Sequence, residues 1–142
     1  MRALLRVGLV LLAATELVVG VWTALFPESF YNDVPTVDLT PPFSEHLFRD
    51  FGTATLGLAV ILGAAAIWLE TRLVIVALVA YLAFSAPHFA FHLQHLEGTT
   101  PLQATVLTGL LAASVVVPIL LIYLAVALRR RERPEAPPEH AG

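Results

Sequence analysis

Four uninterrupted apolar stretches, roughly Leu4 to Phe26, His46 to Leu69, Leu73 to His95 and Leu102 to Leu128, dominate the chain. Each reaches the ~20 residues that a helix needs to cross a bilayer, and only a helix satisfies its own backbone in lipid within a single segment. Arg2 and Arg6 precede the first stretch as they would in a secretory leader. Its apolar run is nevertheless longer than the usual ~7–15 residues and lacks a small-x-small cleavage site, so a retained span is expected. Hydrophobic residues make up 58% of the chain and charged residues 13%, against roughly half and a quarter in soluble domains. Such an excess of apolar surface calls for a lipid bilayer, and no nucleic-acid partner is expected. Cysteine is absent, which excludes disulfides, thiolate metal sites and thiol redox chemistry.

The fold expected is therefore all-α: a four-transmembrane-helix bundle over residues 1–128, followed by a disordered cytoplasmic tail over 129–142. The tail carries Pro134, Pro137 and Pro138 among charges and has too few apolar residues for a core. All basic residues are arginine. Arg2, Arg6, Arg72, Arg129, Arg130, Arg131 and Arg133 fall on one side of a four-span arrangement, whereas the loop from Pro27 to Glu45 holds acids and no base. By the positive-inside rule both termini are cytoplasmic, in a multi-pass protein of the cell membrane. Phe30, Tyr31 and Phe43 in the outer loop are expected at headgroup level as an aromatic belt. The short Glu70-Thr71-Arg72 segment makes the second and third helices an antiparallel hairpin. Gly98 and Thr100-Pro101 mark a stop and a start before the fourth helix.

Polar residues inside these spans carry whatever specific chemistry the chain has. Glu16 lies about 15 Å below the outer boundary at 1.5 Å per residue, near the bilayer centre, and has to face the bundle interior. In the second helix His46 and Asp50 share one face, and Glu45 and Arg49 an adjacent one. Two readings stand: Asp50 orients His46 as a ligand, or the set is an ion-paired helix start. Gly52, Gly57, Ala59 and Gly63 provide small surfaces for close helix packing. In the third helix Tyr81, Ser85, His88, His92 and His95 recur at 4-3-4-3 spacing and form one seam. Pro87 removes a backbone donor and crowds the Ala83 carbonyl, which predicts a kink beside the histidines. His88 and His92, with His46 arriving from the second helix, are candidate metal or haem ligands. Glu16, Arg49, Asp50 and Gln103 are candidate ligand-binding residues around an outer-leaflet cavity, with Ser114 nearby and Pro118 as a second kink.

The segments Leu25-Phe26-Pro27-Glu28-Ser29-Phe30-Tyr31 and Phe48-Arg49-Asp50-Phe51-Gly52-Thr53-Ala54-Thr55-Leu56-Gly57-Leu58 resemble those of the DoxX-like group of small four-helix membrane proteins. The likeness covers nearly the whole transmembrane part and implies the four-span fold. The group takes its name from a subunit linked to thiosulfate and quinone oxidation, and Pro87 to His95 has no counterpart among the matching motifs. Three functional classes follow. The first is a protein that binds a hydrophobic ligand, a quinone or lipid, or a membrane partner subunit, through the outer cavity, alone or as a homo-oligomer. The second is a histidine-ligated metal or haem redox protein. The third is a small enzyme acting on a hydrophobic substrate, with Glu16 or Asp50 as acid or base and Arg49 stabilising negative charge.

Overall fold

The computed structural model describes residues 1–39 and 42–132. Among them are five α-helices and no strand: α1 (Arg2–Leu25), α2 (Pro27–Asp33), α3 (Glu45–Trp68), α4 (Thr71–Gln94) and α5 (Pro101–Arg131), with a short 3-10 turn at Val37–Leu39. The four long helices are the four apolar stretches, each long and apolar enough to cross a membrane. Helix α5 runs beyond the expected end and carries Arg129, Arg130 and Arg131 in its last turn, where cations favour the negative end of the helix dipole. These three residues are therefore helical and not the start of a disordered tail. The remainder of that tail, 133–142, lies outside the described residues. Arg2 and Glu132 pair at 2.7 Å and join the start of α1 to the end of α5.

Local chemistry sets each boundary. Pro27 cannot continue α1 and instead occupies the first position of α2, where its missing N–H costs nothing. Ser44 caps α3 by accepting from the Leu47 N–H. Leu69, in the left-handed region at φ 51°, ends α3. Glu70 then caps α4 by accepting from the Arg72 and Leu73 N–H groups at 3.2 and 3.0 Å. The hairpin turn is thus as tight as the sequence implied. Helix α4 continues through Pro87 and α5 through Pro118 as unbroken helices.

The long helices form a ring in the order α1, α3, α4, α5. The diagonal partners α1 and α4, like α3 and α5, make no close backbone approach among the described residues. The α1–α3 crossing is the most intimate: a Cβ on Gly20 would meet Leu56 and the Gly52 carbonyl, and one on Gly52 would sit 2.5 Å from the Ala24 nitrogen. Glycine is required there because backbone approaches backbone. Leu5, Leu9, Leu62, Ala65, Val74, Ala77, Leu78, Leu121 and Ala125 form a core to which all four long helices contribute. That core fills the half of the bundle that holds the Leu69–Glu70 turn. Toward the other end, the loop half, α4 buries nothing beyond Ser85 and α5 nothing before Pro118.

Candidate functional site

The seam on α4 faces the interior as its spacing predicts, and its burial declines along the helix. Tyr81 and Ser85 are 4% and 2% exposed, His88 and His92 are half-buried, and His95 is exposed. Tyr81 meets polar groups from other helices. Helices α1 and α4 run in the same direction and start at the same level, where Arg2 and Thr71 line one small cavity. Glu16 and Ser85 lie equally far into their helices and hence at equal depth. The Tyr81 hydroxyl lies against Ser114 of α5, with the Glu16 carboxyl in electrostatic range. Thr55 of α3 is also buried in this central region. Each of the four long helices thus carries a polar side chain near mid-bundle depth.

The layer is under-satisfied. Ser114 donates to the Leu111 carbonyl of its own helix, and among the described residues no donor reaches the Glu16 carboxyl. Ser85 Oγ is fully buried and has no hydrogen-bond partner among the described residues. Native interiors pair nearly all such atoms, so the unpaired Ser85 hydroxyl, at the depth of the buried Glu16 side chain, is a polar atom that calls for a partner.

Above this layer an aromatic ladder leads into the loop half. Phe51 of α3 packs on Phe84 at 5.6 Å between centroids, Phe84 stacks on His88 at 5.2 Å, and His88 meets His92 edge-on at 4.6 Å. His95 stacks on Phe91, and its Nδ1 lies 2.8 Å from the Phe91 carbonyl. His46 does not join this ladder. Its Nε2 faces Asp50 at 3.3 Å on an exposed helix start, beside the Arg49–Glu45 pair. The segment is an exposed helix start carrying both the His46–Asp50 and the Arg49–Glu45 contacts. Among the described residues no three His, Asp or Glu side chains are grouped to hold a metal ion. The pair His88 and His92 offers two nitrogens from a single helix, short of the four ligands of a structural zinc site or the opposed pair of a bis-histidine haem. The expected convergence of His46 on His88 and His92 therefore fails, because the His46 end of α3 is tied to its own first turn.

Two other candidate ligand-binding residues are engaged in holding the fold. Arg49 donates from Nε to Glu45 and from Nη1 to the Ala24 carbonyl at 2.6 Å, which places a cation on the last turn of α1. An arginine so held is not available to Glu16, two turns deeper. Gln103 accepts from the Thr100 N–H while Thr100 accepts from the Gln103 N–H, a reciprocal capping box that starts α5. The Thr-x-x-Gln spacing that signals it is visible in the sequence. Phe30, Tyr31 and Phe43 lie together at the loop end of the bundle. With Trp22 they gather around Phe48 and seal the loop end of the α1–α3 pair. A groove of about 760 Å³ lies away from the histidines, between α1 and α3 in the turn half, with Arg6 at its rim.

Four apolar spans around a sparse polar interior define a small polytopic helical membrane protein. No family model, curated protein or solved structure matches the chain.

Proposed function

We propose that this protein, of the DoxX-like type by its α1 and α3 motifs, sits in the cell membrane with both termini cytoplasmic. There it binds a small hydrophobic molecule with a polar head, a quinone or a lipid, in the loop half of the bundle. The head would lie at the Glu16, Tyr81 and Ser85 layer and the apolar body along the Phe84–His88–His92 ladder. The observation that carries this reading is the buried, unpaired Ser85 hydroxyl. A quinone carbonyl would accept from it, and a hydroxyl head would donate to Glu16. Loss of burial along α4 and α5 toward the loop end supports entry from that side. Arg49, Asp50 and Gln103 serve the fold in this reading.

The test is titration of a short-chain ubiquinone into detergent-purified protein, followed by the fluorescence of Trp22 and Trp68, with extraction and mass spectrometry of co-purified quinones and lipids. Saturable one-to-one binding is expected, weakened about two- to tenfold in Ser85→Ala, since one neutral hydrogen bond contributes roughly 0.5–1.5 kcal/mol. The same substitution should leave the unliganded fold as stable as before or slightly more so, because it removes an orphan hydroxyl. Absence of saturable binding of a quinone and of any co-purified lipid, or unchanged affinity in Ser85→Ala, would refute the reading.

A further inference from the structure

The groove between α1 and α3 faces outward, toward lipid, and is lined by none of the polar-layer side chains. We infer that it holds one acyl chain of an anionic phospholipid, with the lipid phosphate on Arg6. This site is independent of the ligand proposed above.

Size and length support the assignment. A volume of about 760 Å³ falls within the ~300–1,000 Å³ of ligand pockets. The α1 wall runs from Arg6 through Val10 and Ala13 to Leu17. At 1.5 Å per residue that is about 16 Å, half the ~30 Å hydrocarbon core and hence the depth of one leaflet. On the α3 wall a Cβ at Gly63 would meet nothing within 4 Å, so the space beside it is open for a chain.

Charge supports it too. Among the described residues Arg6 is the single charged one lining the groove, and every other lining residue is apolar or glycine. Its Nε donates to the Ala66 carbonyl at 3.1 Å, which fixes the guanidinium at the rim. The two terminal nitrogens remain as a planar fork suited to phosphate. Exposed Trp68 and the Arg2–Glu132 pair lie at the same end of the bundle, as residues at the bilayer surface do. An anionic headgroup therefore meets a fixed cation at the level where its acyl chain enters an apolar slot.

The competing occupant is a helix from a second copy, for which a small-residue slot would also serve. Native mass spectrometry of the delipidated full-length protein decides, with dioleoyl phosphatidylglycerol and dioleoyl phosphatidylcholine offered at equal concentration. The wild type should retain one lipid and prefer phosphatidylglycerol about fivefold, as expected for one arginine near a membrane surface. Arg6→Gln should lose the preference. Gly63→Leu should fill the slot and abolish retention of both lipids, whereas Gly57→Leu, whose Cβ also meets nothing but which does not line the groove, should behave as wild type. Equal retention of the two lipids by the wild type, an unchanged preference in Arg6→Gln, or a dimer that Gly63→Leu dissociates would each overturn the assignment.

Discussion

Replacing Gly52 by alanine tests whether the α1–α3 crossing is the rigid half of this bundle. The added Cβ would lie 2.5 Å from both the Ala24 nitrogen and Thr23 Oγ1 and 2.9 Å from the Ala24 Cα. Backbone cannot rotate away as a side-chain tip can, so the helices must separate by about 1 Å to restore ordinary contact distances. Overpacking of this kind costs about 1–3 kcal/mol. The same separation stretches the 2.6 Å bond from Arg49 to the Ala24 carbonyl beyond hydrogen-bond range, and a charge-assisted bond contributes about 1.5–3 kcal/mol. Against these stands the ~1 kcal/mol by which alanine surpasses glycine in a helix. The net expectation is a loss of about 2–4 kcal/mol in Gly52→Ala, measured by equilibrium unfolding in mixed detergent and dodecyl sulfate. Gly57→Ala on the same helix meets nothing within 4 Å and should be neutral or stabilising by up to ~1 kcal/mol. Equal stabilities of the two variants would refute the claim that close backbone approach at Gly52 holds α1 to α3.

Arg49→Gln should lose about 1.5–3 kcal/mol in the same assay, and a double-mutant cycle with Glu16→Gln should be additive, since Arg49 holds Ala24 and not Glu16. Significant coupling would contradict the separation of these two residues. Elemental analysis of the purified protein should give a metal content that does not change in His46→Ala, because that imidazole faces Asp50 on an exposed turn. A drop in that variant would restore the three-histidine site. Reporter fusions test the orientation: a C-terminal fusion after Arg131 should be active only as a cytoplasmic reporter, and an insertion between Asp33 and Asp38 only as an external one. The reverse pattern would invert the bundle.

The four spans were legible in the sequence because length and apolarity alone decide whether a helix is at home in lipid. All eight ends of the four long helices fall within three residues of the apolar stretches that predict them. The inward seam of Tyr81, Ser85, His88 and His92 was legible for a similar reason: a period of 3.6 residues puts its members on one face whatever surrounds them. Neighbours from other helices decided what those residues do. Whether Arg49 reached down to Glu16 or up to the end of α1 depended on where the α1 carbonyls stand relative to α3, which no spacing within either helix states. His46 satisfied every local rule for a ligand, yet a partner four residues away holds it, since a helix start provides that contact without long-range packing. Gln103 is the instructive opposite. Its capping role was written locally as Thr-x-x-Gln, and it looked like a cavity residue only when read as a member of a long apolar helix. The unpaired Ser85 hydroxyl and the lipid-facing groove at Arg6 belong wholly to the tertiary structure, because an orphan atom or an empty slot is defined by what the surrounding helices leave unfilled.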